Sequence, residues 1–196
     1  MKRDIIREKI LTAAETVFER HGYDKTILDD LGREAGMNKT SLYYYYPGKE
    51  EIFAAVIHRQ SEAYIQALEN KIAKKKNGKN GLRTYLENRY SILKKFTLLQ
   101  KAKSSTLFAS ESIVDALSGI DEAETKFVKQ LIATGIKNGE LRKSSEKGAK
   151  VILTALNAIS SQGKSAEKDT ALLVELLLDG IGKKSKDKMA EVSEIN

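Results

Sequence analysis

The chain has no cysteine, no tryptophan, one proline and two histidines in 196 residues. Without cysteine there can be no disulfide and no thiolate metal site. His21 falls at the end of an expected helix, where a partly charged imidazole is favourable and needs no further reason. His58 and Glu62 can share a helix face, but two ligands do not make a metal site. No phosphate-binding glycine loop, nucleophile elbow or paired-carboxylate signature is present. No cofactor, metal or catalytic residue is therefore expected, and the chain is not read as an enzyme. Long hydrophobic runs are also missing. The longest, Ala171 to Leu178, is interrupted by Glu175 and is far too short to span a bilayer. Met1-Lys2-Arg3-Asp4 leads straight into a charged periodic stretch with no apolar signal core, so the expected location is the cytoplasm.

What is present is charge and helical periodicity. The net charge is +7 and the isoelectric point about 9.3, which points to an anionic partner. The distribution complicates that inference. Residues 1–49 hold nine basic and eight acidic side chains, while residues 71–103 hold eleven basic and only Glu87 as an acid. The lysine-rich region has three readings: a solvated face with a flexible link, an attractor for an anionic effector, or a source of non-specific DNA contacts.

Ile6, Ile10, Ala13 and Val17, with Leu11, Ala14 and Phe18, recur at three and four residues, which predicts an amphipathic helix. Gly22 suits its left-handed cap. Thr26 reads as the start of a second helix, with Asp29 three positions on as an aspartate version of the capping box. Gly36 ends that helix, Asn38 caps a third, and Pro47 stops it, because the residue before proline avoids helical dihedrals. A long helix is expected from about Lys49 to Lys76, then a break at residues 74–81. Residues 98–120 read as irregular. Further helices are expected over about 121–137, 145–160 and 167–181, with a charged, flexible tail at 183–196. The fold class is all-α.

Two short helices joined by Ala35-Gly36-Met37-Asn38 form the pattern of a helix-turn-helix, with a recognition helix at about 39–45. Leu42 and Tyr46 sit four apart and should face inward with Leu31 and Phe18. That turns Lys39, Thr40, Tyr43 and Tyr44 outward. A cation, a small hydroxyl and phenols can bond phosphates or base edges, and the helix N-terminus adds to the attraction. Four consecutive tyrosines cannot all enter one core, so at least two should be exposed. Lys49 lies in the first turn of the next helix, where the dipole disfavours a cation. It is either a solvated lysine or a group that waits for a phosphate.

Residues 22–53, with Asp-Leu-Gly-Arg-Glu-Ala-Gly-Met-Asn-Lys-Thr-Ser-Leu-Tyr-Tyr-Tyr-Tyr-Pro-Gly-Lys at their centre, closely resemble the N-terminal domain of TetR-type (TetR/AcrR) repressors. The Ala-Gly turn, the Leu-Tyr-x-x-aromatic helix and the lysine after it occur together. The resemblance implies that Thr26 caps helix two and approaches a phosphate. Lys39, Thr40 and Ser41 would face the major groove, Tyr43 and Tyr44 would contact backbone or bases, and Lys49 would bind phosphate. Three positions depart. Ile27 stands where a second hydroxyl is usual, Asp29 where a neutral or basic residue is common. Gly32 replaces an alanine inside a helix, at a cost of about 1 kcal/mol if nothing compensates. The expected layout is a DNA-binding domain at 1–49 and a helical ligand-binding and dimerisation domain at 50–182.

Ala171 to Ile181 is apolar almost all round, which fits a central core helix or one packed on both its own subunit and a partner. The resemblance points to the second, a homodimer in which the last two helices form a four-helix bundle. Leu156, Leu173, Leu176 and Leu177 are the candidate interface residues. An effector pocket is expected in the middle region. Its candidate lining is Tyr85, Tyr90, Phe96, Phe108, Phe127 and Asn157. The expected ligand is apolar or amphipathic, and an acidic end, where it has one, is drawn by Lys94, Lys95, Lys101 and Lys103. The resulting reading is a ligand-responsive repressor that binds double-stranded DNA at a palindromic operator. Its rivals are an architectural or protein-partnered DNA-binding protein without a small-molecule effector, and a helical interaction protein whose helix-turn-helix is only structural.

Overall fold

The computed structural model describes residues 2–73, 78–104, 110–160 and 166–181; Phe108 and the expected tail at 183–196 lie outside them. The described residues form nine α-helices: α1 (Lys2–His21), α2 (Leu28–Ala35), α3 (Lys39–Tyr45), α4 (Lys49–Ile72), α5 (Gly78–Leu93), α6 (Thr97–Ser104), α7 (Glu111–Lys137), α8 (Ala149–Ser160) and α9 (Ala166–Ile181). A short 3-10 helix at Lys143–Lys147 precedes α8. Two packed units result. One comprises Met1–Ile65 and Leu93–Asp121, the other Gln66–Ile92 and Glu122–Asn196.

In the first unit, α1 buries Ile10, Ala14, Val17 and Phe18, the stripe that its periodicity predicts. Leu31, Leu42, Phe53 and Ile57 complete this core. Phe18 meets Phe53 edge-on at 5.0 Å between ring centroids, and Tyr23 lies 4.8 Å from Phe53. A polar network then ties three helices. Glu15 of α1 accepts hydrogen bonds from Arg59 and Gln60 of α4. Gln60 Oε1 accepts from the Leu99 N–H of α6 at 2.9 Å. The Thr97 hydroxyl donates to Glu19 at 2.5 Å. The stretch 98–120, expected to be irregular, thus contains α6 and the start of α7. Its burial of Leu98, Leu99 and Ala102 supports the helix through tertiary contact where local periodicity is poor.

In the second unit the expected break at 74–81 is corrected. Gly78 to Gly81 form the first turn of α5, and Lys74 to Asn77 lie outside the described residues. The reason is close helix packing. A Cβ on Gly78 would fall 2.1 Å from the Gly135 backbone nitrogen of α7, and one on Gly81 would fall 2.8 Å from the Leu131 side chain. These glycines let α5 and α7 approach, so they do not mark a linker. The last helices agree with expectation, and Gly139 ends α7 at φ +70°.

The interior of this unit holds a charged cluster that the sequence did not suggest. Arg89 of α5 and Glu124 of α7, each 1% exposed, form a two-pronged pair at 2.7 and 2.8 Å. Asn157 Oδ1 of α8 accepts from Arg89 at 2.6 Å, and the Tyr85 hydroxyl donates to Glu124 at 2.9 Å. Burial first, then the neighbouring Glu124, push the Tyr85 phenol well above its ordinary pKa, so it stays a donor. A buried pair of this kind is costly to break because the survivor is left as an uncompensated charge. Glu124→Leu and Arg89→Met should each destabilise the chain by roughly 3–5 kcal/mol. The double variant should be more stable than either single one. Urea unfolding of the four-member cycle measures this, and additive effects would contradict it.

Candidate nucleic-acid interface

The helix-turn-helix is set by local chemistry at each joint. Gly22 closes α1 with φ +79°, and its N–H donates to the Phe18 carbonyl at 2.9 Å. Gly36 closes α2 at φ +62°. The Asn38 side chain accepts from the Ser41 N–H at 2.7 Å and so caps α3. Tyr46 is extended (φ −141°, ψ 133°) ahead of Pro47, as the proline requires. Gly32 is explained too: a Cβ there would lie 2.7 Å from the Met37 carbonyl oxygen of the turn. The helix-weakening glycine is compensated by this close passage.

The start of α2 differs from expectation. Its N-cap is Ile27, and the capping carboxylate is that of Asp30, which accepts from the Ile27 N–H at 3.3 Å. Thr26 is fully buried and its hydroxyl donates to the Gly22 carbonyl at 2.7 Å. It closes the α1–α2 turn and offers no hydroxyl to a phosphate. Ile27 is left 55% exposed.

On α3, Leu42 is the buried anchor, and Lys39, Thr40, Tyr43 and Tyr44 are exposed, with Ser41 intermediate. Tyr43 and Tyr44, at 49% and 69%, are the two exposed tyrosines that the run of four demanded. Tyr45 and Tyr46 are half-buried. Lys39 Nζ sits 3.7 Å from Asp29, an exposed pair that a stronger anion can displace at little cost. The face therefore presents one ammonium, two small hydroxyls and two phenols from a single turn and a half of helix. Such groups donate to phosphate oxygens and to base-edge acceptors alike.

Lys49 resolves its conflict with the helix dipole in an unexpected way. Its ammonium donates to the carbonyl oxygens of Tyr23 (2.8 Å) and Thr26 (3.0 Å), and lies 4.3 Å from the centroid of the Tyr23 ring. Two of its three donors are used inside the protein. At this unfavourable position the backbone carbonyls of the α1–α2 turn supply partial negative charge to the ammonium.

Four of the candidate effector residues, Tyr85, Tyr90, Phe127 and Asn157, fall in the second unit. Tyr85 and Asn157 belong to the Arg89–Glu124 cluster, Tyr90 is buried, and Phe127 packs against Tyr85 at 5.9 Å. Phe96 belongs to the first unit and meets Tyr64 at 6.0 Å. The second unit has a cleft of about 610 Å³ lined by Lys129, Ile132, Ala133, Glu146, Lys147 and Lys150, none of which was anticipated. Of the candidate dimer residues, Leu156 is 2% exposed and is a core residue of its own unit, a correction. Leu173 and Leu177 are intermediate, and Leu176 is 63% exposed. Among the described residues, the large exposed apolar side chains of α8 and α9 are Val151, Leu172 and Leu176.

An exposed polar face on a capped short helix, set against a second helix that buries Leu31, Gly32 and Ala35, defines a helix-turn-helix module within an all-helical chain. Residues 10–56 match the family described as bacterial regulatory proteins, tetR family. This segment is a tetR-family N-terminal domain. The chain is 38% identical over 63 residues (32% of this chain, 34% of the relative) to the biofilm operon icaADBC HTH-type negative transcriptional regulator IcaR of Staphylococcus epidermidis. It is 29% identical over 140 residues (69% and 64%) to the HTH-type transcriptional regulator RutR of Escherichia coli O157:H7. These matches thus span about a third and just under two thirds of the relatives' own lengths. The transcriptional regulator FadR of Bacillus subtilis, solved in complex with stearoyl-CoA, superimposes with a TM-score of 0.71 at 19% identity, over 89% of this chain and 98% of that one. The fold is therefore that of these all-helical regulators.

The Lys49 arrangement carries a stability prediction. Lys49→Met should lower unfolding stability by about 1–3 kcal/mol, since it removes charge-assisted bonds to two carbonyls. A solvated surface lysine would change it by less than about 0.5 kcal/mol. Denaturant unfolding separates the two, and a change inside the smaller range would refute the clamp.

Proposed function

We propose that the chain is a transcriptional repressor that reads a palindromic operator as a homodimer and releases it when a small ligand binds. The single observation that carries this reading is the outward face of α3, where Lys39, Thr40, Tyr43 and Tyr44 are exposed around a buried Leu42. Ser41 stands at its edge. Residues 1–49 are the reading head, and residues 50–182 serve ligand binding and dimerisation. Lys49 supports the head from inside, and Thr26 holds its turn. A DNA regulator of this kind works in the cytoplasm and has no catalytic role.

Val151, Leu172 and Leu176 support dimerisation. Exposed apolar side chains on two neighbouring helices favour burial against a copy of themselves. The effector is an apolar or amphipathic molecule, with or without an acidic end. The FadR neighbour, which holds stearoyl-CoA, supports that class. To release DNA 100-fold, the ligand must prefer the non-binding state by about 2.7 kcal/mol. A second reading, a DNA-binding protein with no small-molecule effector, draws on the filled surroundings of Tyr85 and Tyr90. A compound that both stabilises the protein and weakens DNA binding favours the first.

Selection from random duplexes should yield an inverted repeat with half-sites about one helical turn apart or a small multiple of it. Thr40→Ala should change sequence preference more than salt dependence. Lys49→Met should weaken binding with the salt slope intact, whereas loss of a bound phosphate would lower the slope by about one unit. If Lys39→Ala, Thr40→Ala and Tyr43→Phe all keep wild-type affinity, α3 is not the recognition helix. For assembly, Leu172→Glu with Leu176→Glu should give a folded monomer with weak operator binding in sedimentation experiments. A wild-type monomer at micromolar concentration would contradict the dimer.

A further inference from the structure

The reading head is nearly neutral by count, yet a duplex is bound through its phosphates. The charges differ in how far they are already committed. Glu8 and Glu15 are held by Arg59, Glu34 by Arg20, Asp30 by Arg33 and Asp29 by Lys39. Glu19 accepts from the Thr97 hydroxyl. Two arginines of α1 stand outside these pairs. The Arg3 guanidinium lies 5.5 Å from the centroid of the Tyr44 ring, and that of Arg7 lies 5.6 Å from the Tyr46 ring. Neither forms an ion pair among the described residues. Both are exposed.

Their placement is unusual in two respects. Arg3 lies in the first turn of a 20-residue helix, where the dipole disfavours a cation. Each arginine also rests on a phenol ring at the C-terminal end of α3, the helix that carries the exposed face. An arginine stacked on an aromatic ring keeps its in-plane N–H donors free for a planar or tetrahedral oxyanion. Residues three and four apart share a helix face, so positions 3 and 7 put two guanidinium groups side by side.

The geometry points to Arg3 and Arg7 as a second DNA-binding element, an α1 clamp on backbone phosphates flanking the segment met by α3. This deepens the DNA-binding reading and rests on it. The clamp adds affinity and sets position, and reads no bases. Tyr44 and Tyr46 orient it, so part of the tyrosine run serves to carry arginines.

The test is a salt titration by fluorescence anisotropy, using a 40-base-pair mixed-sequence duplex and the inverted repeat selected with wild-type protein. Arg3→Ala with Arg7→Ala should lower the slope of log affinity against log salt by about 0.9 for each phosphate no longer neutralised, on both duplexes. The preferred sequence in a repeated selection should not change. Arg3→Lys with Arg7→Lys should keep most of the slope, which separates charge from packing. Arg20→Ala, at the other end of α1 and paired with Glu34, should leave it unchanged. Wild-type binding with an unaltered slope in the double alanine variant would overturn the clamp while sparing the DNA reading. An equal drop with Arg20→Ala would overturn it as mere net charge. A wild type that binds neither duplex would overturn both readings.

Discussion

The reading head depends on a single ammonium group. Lys49 Nζ gathers the carbonyls of Tyr23 and Thr26 at the α1–α2 turn, the first of which also accepts from the Thr26 N–H at 3.3 Å. The same turn is closed from within by the Thr26 hydroxyl on Gly22, and its Tyr23 ring packs on Phe18 and Phe53. Because Lys49 is the first residue of α4, the turn, the aromatic core and the start of the long helix are fixed by one set of bonds. Everything on α2 and α3 is then placed by short joints: Gly36, Asn38 and the extended Tyr46. A reading face needs this stiffness, since base-edge hydrogen bonds tolerate little positional error.

The second unit is organised by the opposite kind of constraint. Arg89 and Glu124 are charged groups in the interior, satisfied by each other and by Tyr85 and Asn157. Such a pair adds little to stability against a hydrophobic replacement, but it accepts only one alignment of its partners. It therefore specifies how α5, α7 and α8 register. The close glycine packing works toward the same end. Gly78 and Gly81 permit α5 to lie against α7 at Gly135 and Leu131, a fit that any larger residue at position 78 would disrupt.

Legibility followed the range of the interactions. Gly22, Gly36, Asn38, Leu42 and the two exposed tyrosines were readable, because caps, turns and helical faces are properties of a few adjacent residues. The same local rules misled at Thr26, which has the chemistry of an N-cap but turns inward to Gly22. Lys49 was noticed for its unfavourable position at a helix start, but its two carbonyl partners lie 23 and 26 residues away and left no local signal. Gly78 to Gly81 looked like a linker because glycine weakens helices locally, and the compensating neighbour is on α7. Arg89 and Glu124, 35 positions apart, left no local signal at all. Leu156 looked like an interface residue, and its burial within its own unit could not be known without the packing.

Gln60 shows how far the head's rigidity extends. Its amide nitrogen donates to Glu15 of α1 while its oxygen accepts from the Leu99 N–H at the beginning of α6. Thr97 adds a second bond from α6 to α1 through Glu19. A buried amide that satisfies both of its ends across three helices resists sliding of any one of them, because a shift strands a donor or an acceptor out of water. Within this unit, α6 therefore cannot move independently of α1. Since Phe18 of α1 underlies the turn that Lys49 holds, displacement of α6 must either carry the head with it or break the buried Leu99–Gln60 hydrogen bond, which solvent does not replace.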